Sequence, residues 1–511
     1  MQAHGPSITD NPAGESHVGS GFAVEERYNL LSGWSPNPLL RCRMKLALRV
    51  ALLFVGSWPA SLFAQSPQIV RGPDDRMKAD ILVIVAHPDD EAAVTPYLAR
   101  AIYDLHKRAA VVFATRGGSG GNDYSREHGP ALANIREMEA REACAKLGIT
   151  NVWFLDGKDT ASQNVLNSLA NWGHGGNLEK LVGIFRLTQP EIVITWLPSV
   201  FIGENHGDHQ AAGVLATEAF DLSGNPVVFP AQVAGASKRL EPYLENLTPW
   251  QAQKIYYFSD ANDSKQFTGK GPVYSVKEIS PSQKQPYWRI ALEAAKPHLT
   301  QFPADIERLS KLNDAQLEKM MSDPNTAWWT EPMTLIFGKA IIPTAATDDV
   351  FANIQAGAVT APSLPAAKDQ SAKLSRRDFI SLGGPWGYYS AFRVEHGLVD
   401  LPVAPQAEIA VKMHTSVCVP IVVHHADAAP ASVSLKVDAP PGWKVTSGQG
   451  NFSLPAEPST ALQVEVETPL MSPEELKAAK PQEITVLAEK NGASIGEVKL
   501  RVQLQGSALP Q

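Results

Sequence analysis

Two short strings in this 511-residue chain concentrate side chains capable of hydrolytic chemistry. The first is His87-Pro88-Asp89-Asp90-Glu91 and the second is His206-Gly207-Asp208-His209. A catalytic zinc takes three nitrogen or oxygen ligands and keeps one position for water. His87, Asp90 and His209 can supply two imidazoles and one carboxylate, and the 87/90 spacing lets one turn present both of its groups. Asp89 is left beside the metal but pointing differently, where a carboxylate can take a proton from the attacking water. His206 is the natural candidate to face a developing oxyanion or to protonate a leaving group. The same donor set suits Fe2+ and other divalent ions, so Zn2+ is the first expectation rather than a deduction. Each string alone also has a plainer reading. The first can be a turn in which Asp89 or Asp90 caps a helix, and the second is an ordinary exposed-loop composition.

The elements around these strings decide between the two. Ile81–Ala86 is a continuous apolar run, as a strand buried on both faces should be, and it ends directly in His87. Further strands are predicted over Ala110–Thr115, Asn151–Asp156, Glu191–Leu197 and Lys254–Ser259. Helices are predicted over Glu91–Lys107, Pro130–Leu147, Leu178–Leu187 and Asp208–Phe220. Strands alternating with helices imply a Rossmann-like, mainly parallel sheet with helices on both faces. Ligands of such a sheet gather outside the carboxyl ends of its strands. Both strings lie at such ends, and they converge if the first and fourth strands are neighbours.

The remainder of the chain sets the frame. Net charge is -8, with 45 Lys+Arg against 53 Asp+Glu, which argues against a nucleic-acid partner. Three cysteines (Cys42, Cys144 and Cys418) cannot build a disulfide framework or a thiolate zinc site. From Met44 a short basic segment with Lys45 and Arg49 precedes an apolar run, Val50 to Phe63, which is expected to be a secretory signal cleaved after Ala64. The run is shorter than the roughly 20 residues a membrane span needs, so no transmembrane helix is expected in the mature protein, and its location is expected to be periplasmic or extracellular. Helices are expected again within 277–320. From about Ala404 the pattern changes to some seven short alternating strands separated by turns, the signature of an antiparallel, Ig-like β-sandwich. The expected organisation is an N-terminal extension and signal over 1–64, a catalytic α/β domain over 79–345, a connector over 346–402 and the sandwich over 403–511.

AHPDDE at Ala86–Glu91, with HGDHQAAG at His206–Gly213, resembles the PIG-L/LmbE-type zinc-dependent N-deacetylases. TRGG at Thr115–Gly118, NIREMEAREACAKLGI at Asn134–Ile149 and FLDGKD at Phe154–Asp159 extend the resemblance over roughly residues 79 to 300, and KPHLTQ at Lys296–Gln301 matches more weakly. The resemblance implies removal of an acetyl group from N-acetylglucosamine-bearing molecules, with His87, Asp90 and His209 on the metal, Asp89 as base and His206 stabilising the tetrahedral intermediate. It further implies that Asp208 orients or tunes His206, that Arg136 contacts substrate and that Asp159 contacts a substrate hydroxyl. The chain departs from the family pattern in two places. Gly207 stands where many relatives have proline, which should loosen that loop. Gly118-Ser119-Gly120-Gly121 stands where many have an acidic residue, so Gly117–Gly129 is expected to be a flexible rim.

The expected function is thus a secreted, zinc-dependent amide hydrolase acting on a small molecule or glycan that bears an N-acyl amino sugar. An amidase for a larger N-acyl or thiol conjugate, and a glycan-binding protein with a vestigial metal site, are the competing readings.

Overall fold

A computed structural model describes residues 75–198, 207–233, 247–259, 269–322, 332–357, 378–401, 406–426 and 429–505. The signal-like segment and His206 lie outside the described residues. Strands β1 (Ile81–Val85), β2 (Ala109–Thr115), β3 (Val152–Gly157), β4 (Ile192–Trp196) and β5 (Lys254–Phe258) form a sheet with order β3-β2-β1-β4-β5, every pair parallel. After a two-stranded pair, β6 (Val273–Tyr274) with β7 (Met333–Thr334), strand β8 (Ile336–Ala340) adds an antiparallel edge to β5. Every residue of β1, β4 and β5 is buried. Successive strand side chains point to opposite faces, so this burial requires both faces of the sheet to be covered.

Strand order reverses direction at β1, which pairs with β2 on one side and β4 on the other. The crevice outside the carboxyl ends of β1 and β4 is therefore the switch point at which ligands of open α/β sheets bind. His87 follows β1 by two residues. The helix after β4, Gly207–Leu222, packs on β1, β4 and β5, and its first ten residues are all buried. Small residues let it approach closely. At Gly213 an added Cβ would lie 2.3 Å from the Trp196 carbonyl oxygen and 2.9 Å from Pro198 N.

The predicted helix over Glu91–Lys107 is three pieces: a 3-10 turn (Asp90–Ala93), an α-helix (Thr95–Ala99) and a π-turn (Arg100–Asp104). The helix Val165–Trp172 and the strand β8 were not predicted. The stretch 346–402, read as a connector, carries more than that. Val350 is fully buried in the α/β core, and Lys254 Nζ donates to the carbonyls of Val350 and Ala352 at 3.0 and 2.6 Å. Strand β9 (Phe379–Leu382) pairs with a C-terminal strand, and the helix Gly384–Glu395 puts Tyr389 and Phe392 into the α/β core.

Beyond it, β10 (Glu408–Lys412), β11 (Ser416–His424), β12 (Ala431–Asp438), β13 (Lys444–Ser447), β14 (Gly450–Leu454), β15 (Ser459–Glu467), β16 (Gln482–Lys490) and β17 (Ala493–Gln505) form two further sheets. Their orders are β10-β17-β16-β12-β14 and β13-β15-β11-β9. Pairing is antiparallel except between β10 and β17, a parallel pair that the alternating pattern did not foretell. Val419 and Val464 from one sheet share an apolar cluster with Leu435, Ile484 and Leu500 from the other. Among the described residues no helix is long and apolar enough to cross a membrane.

The contact at Gly213 generates a prediction. Gly213→Val should overpack the helix against β4 at a cost of about 1–3 kcal/mol, lowering the midpoint of thermal unfolding by several degrees. An unchanged melting curve would show that the helix does not sit this close to Trp196.

Candidate metal and hydrolytic site

Ligand atoms of His87, Asp90 and His209 lie within 4.8 Å of one another, and all three residues are buried. The two strings thus meet although more than a hundred residues separate them. Asp90 is the fixed point. Its Oδ2 accepts from the backbone N–H groups of Ala86 and His87, each at 2.9 Å, and from Trp196 Nε1 at 2.7 Å. Its Oδ1 faces His209 Nε2 at 3.3 Å. The Trp196 ring also stacks on the His209 ring, with centroids 4.0 Å apart and planes 3° from parallel. One residue at the end of β4 therefore orients both the carboxylate and the second imidazole.

His87 has its own carboxylate neighbours. Its Nε2 lies 3.2 Å from Asp159 Oδ1 and 3.3 Å from Asp208 Oδ2. Ionised carboxylates only accept hydrogen bonds, so with both ionised Nε2 carries a proton, and Nδ1, 3.7 Å from Asp90 Oδ2, is the nitrogen that a cation would take in place of its proton. Metal-binding imidazoles are typically oriented in this way by an outer carboxylate. Asp208 is itself held by Thr160, whose N–H donates to Oδ2 at 2.8 Å and whose hydroxyl donates to Oδ1 at 2.9 Å. Two imidazole nitrogens and a carboxylate oxygen fit a divalent cation of the zinc type in donor chemistry and number.

The electrostatics follow from burial and mutual contact. Burial disfavours charge on His87, but Asp159, Asp208 and Asp90 outweigh it and hold its pKa well above the ordinary imidazole value. Burial would raise Asp90, yet the His209 and His87 imidazoles hold it well below the carboxylate range. Asp89 is pushed up to about 7 by burial and by the neighbouring Asp90 charge. A carboxyl group poised there suits proton transfer near neutral pH, and a bound cation would add its own charge to that balance.

Asp89 makes no side-chain cap to the 3-10 turn that follows, and its backbone has φ 114° and ψ -24°. A non-glycine residue in that region costs about 1–3 kcal/mol and is characteristic of functional sites.

The remaining candidate residues are placed as follows. Asp208, expected to orient His206, has its carboxylate on His87 and Thr160. Asp159, expected at a substrate hydroxyl, lies against His87 and accepts the Ser119 N–H at 2.8 Å. Arg136, expected at substrate, is 5% exposed. Its guanidinium donates to Gly117 O and Gly121 O, each at 2.6 Å, and to Thr300 Oγ1 at 3.3 Å. It thereby pins part of the segment expected to be a flexible rim, and Gly129 N–H closes that segment on Gly118 O at 3.0 Å. Gly207 donates to Ser162 O at 2.7 Å, a bond proline could not make, and an added Cβ would sit 2.7 Å from that oxygen. The glycine is thus tightly packed, contrary to the expected loosening.

Trp196 and Thr160 were missed by sequence reasoning, because a tryptophan in a strand and a threonine in a loop each look structural. The clue lay in Trp196 ending a strand next to the first string. Trp196→Phe keeps a stacking ring and deletes the Nε1 donor to Asp90. Metal affinity should fall about 10- to 100-fold, as for other outer-sphere partners, measured by competition with a chromophoric chelator. An unchanged affinity would remove Trp196 from the site.

Residues 82–220 match the model of the family described as PIG-L, GlcNAc-PI de-N-acetylase. The chain is 29% identical over 188 residues to 1D-myo-inositol 2-acetamido-2-deoxy-alpha-D-glucopyranoside deacetylase 1 of Frankia alni, a match spanning 34% of this chain and 59% of that relative. It is 24% identical over 255 residues to the corresponding deacetylase of Thermobifida fusca, covering 43% of this chain and 82% of the relative. Among solved structures, N,N'-diacetylchitobiose deacetylase of Pyrococcus horikoshii is similar with a TM-score of 0.34 and 21% identity, covering 52% of this chain and 85% of that one. Both strings lie inside the matched segment, so residues 82–220 are similar to the PIG-L family over the part of the chain that holds the candidate site.

Proposed function

We propose that this protein is a metal-dependent amide hydrolase that removes the N-acetyl group from an N-acetylglucosamine-type substrate. The observation that carries the reading is the convergence of His87, Asp90 and His209 at the β1/β4 switch point, with Asp89 beside them. The two curated relatives support the substrate class, since both are named as deacetylases of an acetamido-sugar inositol.

A divalent cation held by His87, Asp90 and His209, with Zn2+ the first choice, would supply Lewis acidity, polarising the amide carbonyl and acidifying water. Asp89 takes the proton from the attacking water. Asp208 and Asp159 keep the His87 ring in one orientation, as Trp196 does for Asp90 and His209. The role of stabilising the oxyanion is assigned to His206, and the proton that Asp89 has taken is returned to the departing amine. Arg136 contributes by holding the loop 117–121 that borders the site. The segment up to Ala64 directs export to the periplasm or beyond, and the two C-terminal sheets form an Ig-like sandwich appended to the enzyme.

The test is acetate release from N,N'-diacetylchitobiose and from an N-acetylglucosaminyl inositol, with and without a chelator, followed by re-addition of Zn2+ or Fe2+. Asp89→Ala should lower turnover by roughly 100- to 10,000-fold while leaving bound metal near one equivalent. His87→Ala and His209→Ala should lose the metal itself. Near-wild-type turnover by Asp89→Ala would remove it as the base. Faster cleavage of long acyl chains than of acetyl would replace the deacetylase reading with that of a broader amidase.

A further inference from the structure

The backbone at Asp89 lies where L-residues are seldom found, and such a conformation persists only if the surroundings over-determine it. The contacts that do so come from a turn 207 residues further along the chain from Glu91. Glu91 Oε2 accepts the Asp89 N–H at 3.0 Å. Oε1 of the same carboxylate lies 2.7 Å from His298 Nε2. An ionised carboxylate cannot donate, so His298 Nε2 carries the hydrogen. Gln301 Nε2 donates to Pro88 O. Pro88 C=O and Asp89 N–H belong to one peptide unit, and the tilt of that unit about the Asp89 N–Cα bond is the φ of Asp89. Both of its polar ends are thus held from the turn His298–Gln301, one directly and one through Glu91.

The turn is itself anchored. Thr300, between the two, donates from its N–H and its hydroxyl to Glu139 at 2.9 and 2.7 Å, and Arg136 Nε donates to the same hydroxyl at 3.3 Å. His298 is 0% exposed and Glu91 4%, so the bond between them is shielded from water. The pairing answers to more than general packing. His298 Nε2 meets the same carboxylate that accepts the Asp89 N–H.

We propose that His298, Glu91 and Gln301 are positioning residues that set the Pro88–Asp89 peptide plane and thereby aim the Asp89 carboxylate. They touch no reacting atom. The proposal rests on the reading of Asp89 as the base, and its structural half can be tested without that reading.

The experiment uses the full-length, metal-loaded protein and the variants His298→Ala, His298→Gln, Glu91→Gln and Gln301→Met. Crystal structures report the Asp89 φ, metal content is counted per chain, and kcat and KM are measured on N,N'-diacetylchitobiose. His298→Ala and Glu91→Gln should let φ of Asp89 relax toward negative values and lower kcat roughly 10- to 100-fold, with KM within about twofold and metal retained. His298→Gln, whose amide nitrogen can occupy the place of Nε2, should restore φ and most of kcat. Gln301→Met should give a smaller loss of the same kind, and it keeps the test decisive if His298→Ala fails to fold. An Asp89 φ unchanged in His298→Ala and Glu91→Gln would overturn the proposal. So would a loss of kcat accounted for entirely by lost metal or lost fold. A relaxed φ in an enzyme that does not need Asp89 would overturn the base assignment and leave the positioning geometry standing.

Discussion

A carboxylate taken out of water must be paid for by hydrogen bonds or opposite charge, and Asp90 meets that demand in a way that organises the whole site. Three N–H donors converge on its Oδ2, two from the turn after β1 and one from the indole at the end of β4. Its Oδ1 is thereby directed at His209. The arrangement is possible only because β1 and β4 are adjacent and parallel, so that their carboxyl ends lie about 5 Å apart. The buried anion thus couples strand order to ligand geometry. A sheet with another strand between β1 and β4 would leave Asp90 without Trp196 and His209 without its stacking partner.

A second carboxylate, Asp89, is placed on the opposite principle. Asp90 is surrounded by donors and stabilised as an anion, whereas Asp89 is desolvated beside a like charge and its pKa rises to about 7. Adjacent residues of the same type are driven apart in acidity by their surroundings, the division that the proposed ligand and proton acceptor require. The strained backbone at Asp89 belongs to this division. In a relaxed conformation the second aspartate would follow the first in ordinary turn geometry, and the two side chains could not so readily serve different ends.

Much of this was legible before any coordinates. The apolar run at Ile81 ends in His87, and residue types alone select His87, Asp90 and His209 as a ligand set. Legibility failed where function is carried by contacts between distant segments. The residue types pair Asp208 with the nearby His206 but do not reveal that a carboxylate on the first turn of this helix also faces across the crevice, where it meets His87. Trp196 reads as core until the neighbouring strand is known. His298 and Gln301 stood out only as a weak string at the end of a helix. The helical periodicity after Glu91 was real, but the turn that fixes Asp89 tightens its start into a 3-10 form. The edge strand β8 was hidden because its sequence, Ile336-Phe337-Gly338-Lys339-Ala340, lacks the run of buried residues that marks the interior strands.

The C-terminal part of the chain enters the same logic. The family-matched segment ends at residue 220, yet the helix that carries His209 is also held from outside it. Tyr389, in the helix that follows β9, donates its hydroxyl to Gln210 Oε1 at 2.8 Å, and both side chains are buried. Gln210 follows His209 directly, on the first turn of a helix whose other sides are pressed against β1, β4 and β5. Ala410, in β10, donates to Gln163, three residues from the Thr160 that holds Asp208. Both contacts end within one or a few residues of the groups that orient the cation site. Rigidity at a catalytic centre comes from the shell that locks its side chains. In this protein part of that shell is drawn from beyond residue 220, from the helix after β9 through Tyr389 and from β10 through Ala410.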